Sequence, residues 1–574
     1  MTNDIVYDIV YDNVNENPTN QFDGDELDTP NFYEELYGNL SDEKRDRIEN
    51  VFSKVQEFVE GLGVTYYPHQ EEGIKWMIKQ AFFKKLRVEP ECRGGLLCDD
   101  PGLGKTLQTL SLIKALEMTG KLVHGRVLIV VPIALLEQWR VEAEKFFPGN
   151  VRVNHNRLTL MTTKQSVLNN SKLIVITSYS KIFNTDNKEF VETGLHKVPW
   201  DAIVCDEVHI IRNNTTYMAK GCQSINAKYR FGLSGTPIQN KIDDIKSLFQ
   251  YLGIDPKLLR NTVRFEDLMK PYNVILRRNR HILMDAYKNL DVEIHAVKFA
   301  TEEESDFYHK LKAKIREEYN KICEESGESN VMSQILELLL RLRQATIHPC
   351  LVYNGYIAKT LKDDEADDEW KARTVELLKN KSKYWSQKQS SKIMELIKLF
   401  RQHETNTKSM IITQYREEAN LIYQHLGETF PDLNIAIFDG TSSVDDRNKI
   451  IKRCHAGLVD VLILQIKSGG VGLNLQMFHN VYSLSPDWNP SNEIQAIARC
   501  HRIGQTRDVK VVKLVMHEDD EKKATIDERL ISIQTTKREM MARCLNDDTL
   551  EFNEMVRYAD IQKLTKKEWN SMFK

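Results

Sequence analysis

The sequence predicts an α/β protein made of two parallel-sheet lobes, with helical insertions and a C-terminal helical brace. Two observations carry that expectation. Near-continuous Val/Ile/Leu runs recur in two series, as in strands buried on both faces of a parallel sheet. Helical patterns alternate with them, and each run ends in a polar or Gly/Pro cluster, where ligands collect in such sheets.

In chain order, residues 1–47 form an acidic tail. It is Asn-rich, carries the tandem repeat "IVYDIVYD", and is expected to be disordered. Residues 48–250 make the first lobe, with strands expected at "RVLIVVP" (126–132), "KLIVITS" (172–178), "AIVCDE" (202–207) and "FGLSGTP" (231–237). Residues 251–350 read as a mostly helical, charged insertion. The second lobe spans 351–520, with strands at "SMIITQY" (409–415), "NIAIFDG" (434–440), "VLILQI" (461–466), "VYSLSP" (481–486) and "VKVVKLV" (509–515). "LKDDEADDEW" (361–370) reads as a solvated loop. Residues 521–574 form the brace, because "IDERLISIQTTKREMMARCL" (526–545) has helical spacing.

Composition narrows the function classes. At 41% hydrophobic and 28% charged residues the chain is an ordinary globular protein. The longest apolar run, Val127–Leu136, is broken by Pro132 and falls short of the ~20 residues that span a bilayer. No basic segment followed by an apolar core opens the chain. The expected locations are the nucleus or the cytoplasm, with no membrane partner. Nine cysteines with no CxxC pair argue against a disulfide framework and against structural zinc. Residues 1–43 hold twelve acidic and no basic side chains, so the body is mildly basic although the whole chain is at −4. That permits a polyanionic partner.

The chemistry starts at "LLCDDPGLGKTLQTL" (96–110). In a phosphate loop, backbone N–H groups and a helix N-terminus face the anion. Gly102 and Gly104 allow close approach, Lys105 supplies charge to the β- and γ-phosphates, and the Thr106 hydroxyl suits Mg²⁺. The loop as a whole is Asp99, Asp100, Pro101, Gly102, Leu103, Gly104, Lys105 and Thr106. Asp99 stands where the standard pattern has its outer glycine, and the remaining fragment is too short to decide alone. "AIVCDEVHIIRN" (202–213) adds two adjacent carboxylates at a buried strand end. Such a pair is costly to bury unless something occupies it. Asp206 is expected to hold magnesium through water and Glu207 to polarise the attacking water, with His209 as a link to other loops. The other reading is a surface turn. In "LSGTPIQN" (233–240), Ser234 and Thr236 suit a relay of phosphate state, and a simple turn is the alternative. "EIQAIARCHRIGQT" (493–506) places Arg499 and Arg502 three apart, suited to a phosphate chain as arginine fingers, or else part of a solvated basic helix.

Ten segments in order resemble the Swi/Snf family of ATP-dependent DNA translocases, within helicase superfamily two. They are "YYPHQEEGIKWM" (66–77), "DDPGLGKT" (99–106), "VVPIALLEQW" (130–139), "DEVH" (206–209), "LSGTPIQN" (233–240), "LRLRQATIHP" (340–349), "FDGTSSVDDR" (438–447), "KSGGVGLNL" (467–475), "DWNP" (487–490) and "QAIARCHRIGQT" (495–506). The resemblance covers roughly residues 60–545 and implies RecA-like lobes, ATP and Mg²⁺ as cofactors, and a DNA-stimulated ATPase. The family's loop commonly carries an acidic residue at the Asp99 position. Departures are Pro101, where the family usually has Met, and Val208, where it has Ala. The resemblance further implies that Gln70 reads the adenine edge and that Gln495 and Gln505 help close the interface. It implies duplex DNA contacts at Gln138, Trp139, Thr177, Ser178, Gln414, Ser468, Gly469 and Asn474, with Trp488 nearby. Backbone tracking of this kind is not sequence-specific. "HIIRN" and the segments beginning at 340 and 467 resemble the helicase-like transcription factor and lodestar branch, here without the zinc RING. The compact form also resembles viral versions such as the baculoviral global transactivator, for which the host nucleus is the expected location. Expected partners are duplex DNA and, through it, nucleosomes or transcription machinery. A strand-separating DNA or RNA helicase and a catalytically inactive DNA-binding scaffold remain the alternatives.

Overall fold

The computed structural model describes residues 37, 40–86, 91–154, 172–186, 189–235, 237, 242–259, 273–278, 288–325, 331–362, 368–404, 407–466, 473–502, 504–518 and 524–545. The chain divides into two compact units, Met1–Met284 and Asp285–Lys574.

The first unit opens with the helix Asp42–Glu60, which starts ahead of the tail boundary expected at 48. Asp42 and Glu43 sit favourably in its first turn, and Ile48, Val51, Phe52, Val55 and Val59 make its buried stripe. The helix Pro68–Phe83 follows. The strands are β1 (Arg93–Leu97), β2 (Arg126–Val131), β3 (Val151–Asn154), β4 (Leu173–Ser178), β5 (Asn184–Asp186), β6 (Glu189–Val191), β7 (Trp200–Asp206), β8 (Ala227–Leu233) and β9 (Ile275–Leu276). Seven of them form one sheet in the order β3-β4-β2-β7-β8-β1-β9, and every pairing in it is parallel. β5 and β6 form a separate antiparallel hairpin. β2, β4 and β7 are buried along their whole length, which is why they read as unbroken apolar runs.

β1, β3 and β9 fall outside the expected runs. β1 is "RGGLL", where two glycines dilute the apolar signal. Gly94 needs its glycine: it has φ 152°, and a Cβ there would lie 1.7 Å from the Arg230 carbonyl oxygen. β9 is two residues long and is held by its neighbour, with Leu96 N–H donating to Val274 O (2.7 Å) and Cys98 N–H to Leu276 O (2.6 Å).

The second unit begins with β10 (Leu290–Val297), continues with β11 (Ser409–Thr413), β12 (Ile435–Phe438), β13 (Val461–Gln465) and β14 (Asn480–Ser483), and ends with β15 (Val509–Met516). They form a six-stranded sheet, β10-β15-β14-β11-β13-β12, again with parallel pairings. The 251–350 stretch is therefore not helical throughout: besides the helices Glu302–Glu325 and Val331–Ile347 it holds β9 and β10. β10 lies at the sheet edge, half-exposed, so its apolar residues alternate with Asp291, Glu293 and His295 and give no continuous run. The 361–370 stretch already turns into the helix Asp368–Ser386.

The helix Ile526–Leu545 braces this unit. Ile526 and Leu530 pack with Tyr308, Leu311, Leu342 and Val352, while Asp527 pairs with Lys392 (2.5 Å) and accepts from Thr346 Oγ1 (3.0 Å) and Met516 N–H (3.1 Å).

Candidate active site

Register brings the chemistry together. β8 lies between β7 and β1, with Asp206 opposite Leu233 and Leu97 opposite Leu233. The first residues past these three strands, Glu207, Ser234 and Cys98, therefore leave the sheet at one level. The strand order also reverses here, since the chain returns from β1 to β2 across β8 and β7. Crevices at such reversals are where α/β sheets bind ligands.

The loop from Cys98 leads into the helix Lys105–Met118. Gly102 has φ 98° and Gly104 φ 78°, the left-handed region. A Cβ on Gly104 would also sit 2.3 Å from Gln70 Nε2, so that glycine is required twice over. Lys105 Nζ donates to the carbonyls of Asp99 (2.7 Å) and Asp100 (3.2 Å), which aims the ammonium into the loop. Thr106 is half-buried in the first turn. Gln70 leans over the loop, accepting from Tyr67 N–H (3.1 Å) and donating to Leu103 O (3.4 Å), and His69 Nε2 lies 3.0 Å from the same oxygen.

Asp99 has a different task from its neighbours. Its carboxylate is fully buried and takes both prongs of Arg278, Nε at 3.0 Å and Nη2 at 2.6 Å, plus Gln108 Nε2 at 3.1 Å. Asp100 faces Arg277 Nη2 at 3.2 Å. These side chains anchor the loop, and it is the two backbone carbonyls that meet Lys105.

Asp206 ends β7 with Oδ2 accepting from the Trp139 indole (2.8 Å) and Oδ1 from Glu207 N–H (2.9 Å). Tyr179 Oη–H holds the Asp206 carbonyl (2.6 Å). Burial, and then the charge of Glu207, push the Asp206 carboxyl up to about 6, against the pull of the indole and of Lys105. Glu207 adopts φ 50°, ψ 49°, a strained backbone for a non-glycine residue of the kind that clusters at functional sites. His209 Nδ1 lies 3.3 Å from Glu207 Oε2 and 3.0 Å from Ser234 Oγ, so one imidazole nitrogen bridges the carboxylate and the relay hydroxyl. Thr236 lies outside the described residues.

A phosphate chain and Mg²⁺ fit these residues. The helix N-terminus and Lys105 would hold the phosphates, and Thr106 with the Asp206 carboxylate would hold the metal.

In the second unit, Arg499 and Arg502 sit past the end of the helix Pro490–Ile497, with Arg499 buried and Arg502 Nε bonded to Ala498 O (2.9 Å). Gln495 is buried on that helix, its Nε2 without a hydrogen-bond partner among the described residues. Gln505 is engaged within the second unit. Its amide donates to the carbonyls of Gln476 (2.8 Å), Cys500 (3.0 Å) and Phe478 (3.4 Å), so it clamps the loop carrying Arg502.

Three residues expected at DNA are engaged within the first unit. Trp139 is buried on Asp206, Thr177 is buried and accepts from Asn154 Nδ2 (3.3 Å), and Ser178 is buried with Oγ 3.0 Å from Ser180 Oγ. Gln138, Gln414, Asn474 and Trp488 are half-buried, and Gln414 Nε2 and Asn474 Oδ1 lack partners among the described residues. Trp488 packs against the helical cluster around Tyr308. Ser468 and Gly469 lie outside the described residues. The sequence reading missed Gln108, Tyr179, Arg277 and Arg278. The visible signal for the last two was an arginine pair directly after the apolar "VIL".

A glycine-shaped loop on a helix N-terminus, set beside paired strand-end carboxylates, belongs to the phosphate-loop nucleotide hydrolases. Residues 69–351 match the SNF2-related domain and residues 391–504 the helicase conserved C-terminal domain. The chain thus carries an SNF2-related domain followed by a helicase C-terminal domain, and these domains imply ATP hydrolysis. It is 27% identical over 604 residues to DNA repair protein RAD5B of Arabidopsis thaliana, covering 79% of this chain and 46% of that protein. It is 29% identical over 472 residues to the probable global transactivator of Orgyia pseudotsugata multicapsid polyhedrosis virus, covering 79% of this chain and 86% of that one. The chain spans about half the length of the plant relative. Among solved structures, the Sulfolobus solfataricus SWI2/SNF2 ATPase core in complex with dsDNA aligns at 24% identity with a TM-score of 0.36, over 83% of this chain and 92% of that one.

Proposed function

We propose that the protein is a DNA-stimulated ATPase that translocates on duplex DNA and displaces or remodels bound proteins in chromatin, transcription or repair. The observation that carries the reading is that Glu207 and Ser234 leave two adjacent strand ends beside the β1 end from which the Lys105 loop starts, with His209 tying the two. Lys105 exchanges the Asp99 and Asp100 carbonyls for phosphate oxygens. Glu207 orients the attacking water, and His209 passes the state of that carboxylate to Ser234. Thr106 and, through water, Asp206 would hold Mg²⁺, which would screen the phosphate charge. Arg499 and Arg502 of the second unit stabilise charge in the transition state, and their engagement and release move the grip along the duplex.

The test is ATP turnover measured in parallel with duplex DNA, single-stranded DNA, RNA and nucleosomes, for the native chain and for Lys105→Ala, Glu207→Gln and Arg502→Ala. Stimulation by duplex that all three substitutions abolish supports the reading. Turnover indifferent to duplex overturns it. Triplex displacement beside an unwinding assay separates translocation from strand separation.

A further inference from the structure

The phosphate loop and the relay loop are joined by more than the sheet beneath them. Arg277 follows β9, and its side chain is 10% exposed. Its Nη1 donates to Gly235 O (2.9 Å) and to Cys98 O (3.2 Å), while Nη2 lies 3.2 Å from the Asp100 carboxylate. One guanidinium thus touches the root of the phosphate loop, its acidic shoulder and the residue after Ser234. The two loops also pack directly: a Cβ on Gly235 would lie 2.8 Å from Pro101 Cδ. Pro101 presents a rigid ring to that contact, because its φ is fixed. Arg278 secures the other side through Asp99 and Gln108, and Asp100 N–H donates to Arg278 O (3.0 Å), extending the β1–β9 ladder into the loop.

Resting on the ATPase reading above, we infer that Arg277 is a positioning residue for hydrolysis: a rigid tie through which the phosphate loop and the Ser234–Gly235 relay loop move as one piece. The planar fork is what makes the tie. It reaches two carbonyls and a carboxylate from separate nitrogens of one rigid plane, which a lysine ammonium, with all its donors on one nitrogen, does not. The carbonyls that orient Lys105 belong to Asp99 and Asp100, the residues held by Arg278 and Arg277, so the pair also sets the lysine's starting position. Arg278 acts on how the loop is held, and Arg277 on how the loop communicates.

The test uses the full chain with Arg277→Lys, Arg277→Gln, Arg278→Lys, Ser234→Ala and the Arg277→Lys/Ser234→Ala double variant. ATP turnover is measured with saturating duplex DNA, and affinity for a fluorescent ATP analogue is measured separately. Arg277→Lys keeps a positive charge beside Asp100 and is expected to bind the analogue within about threefold of the native chain. Its kcat falls on the order of 10²-fold, the scale of a misplaced catalytic geometry. Arg278→Lys shifts KM more than kcat. The double variant is no slower than the slower single one, because both cut the same route. Native kcat in Arg277→Lys and Arg277→Gln overturns the inference, as do losses that multiply in the double variant. A kcat loss that merely follows the unfolded fraction in a thermal melt also overturns it, since that is a stability effect. An inactive native chain would instead show as no turnover before any variant is compared, which separates failure of the ATPase reading from failure of the tie.

Discussion

The indole of Trp139 donates to Asp206 Oδ2 across 2.8 Å, and both side chains are buried. A carboxylate in that position is costly to ionise, and the indole is the side-chain donor that offsets its burial. Trp139→Phe keeps the ring and removes the donor. A hydrogen bond to a charged group contributes about 1.5–3 kcal/mol, so the expected outcome is a kcat lower by roughly 10- to 100-fold with the fold intact. Steady-state turnover beside circular dichroism checks it, and native turnover in Trp139→Phe would remove the indole from the site's chemistry.

The His209 bridge makes a second prediction. If the imidazole carries the state of Glu207 to Ser234, then His209→Ala and Ser234→Ala act on one route. A double-mutant cycle on duplex-stimulated turnover should show a coupling energy of about 0.5–3 kcal/mol. Additive losses would mean that the 3.0 Å contact is packing only.

In the second unit, Asp527 and Lys392 form a fully buried pair that fixes the C-terminal helix. Asp527→Ala leaves the Lys392 ammonium without its counter-charge, although it still reaches Leu484 O. Removing one partner of such a pair costs about 3–5 kcal/mol. A denaturant melt should show the second unit unfolding earlier while nucleotide binding by the first persists. Coincident loss of both would contradict independent units.

Glu418 gives a pH dependence. It is fully buried near the start of the helix Arg416–Thr429, its Oε2 accepting from Gln414 N–H (2.8 Å) and Tyr415 N–H (3.1 Å), and burial raises its carboxyl from 4.5 to about 7. The folded chain therefore keeps a proton that the unfolded chain releases from about pH 4.5 upward. Its contribution is complete below that pH and is lost as pH rises through about 7, a loss of about 3 kcal/mol. Glu418→Gln, a permanently neutral side chain, should flatten this part of the melting-temperature profile between pH 5 and 8. An unchanged profile would show that Glu418 titrates normally.

Much of the site was legible because its residues are local in sequence. Gly102, Gly104, Lys105 and Thr106 make one turn, and Asp206, Glu207 and His209 make another, so spacing alone shows each piece. The buried strands β2, β4 and β7 were legible for a related reason: two covered faces favour near-continuous apolar runs. β1, β9 and β10 were not. One is diluted by glycines, one is two residues long, and one is an edge strand with alternating polarity. Their pairing partners, not their own composition, make them strands.

The sequence by itself determined the two-sheet α/β class, the phosphate loop, the paired carboxylates and the arginines after the second unit's helix, because each is written in consecutive residues whose chemistry does not depend on what lies opposite. Only the tertiary structure decided which side chains face one another across the sheet. It set the Trp139 indole on Asp206, placed the Gln505 amide on three carbonyls, and brought Arg277 and Arg278 onto acids some 180 residues earlier. The physical reason is that strand order and register set those distances, and neighbours in a parallel sheet lie far apart along the chain.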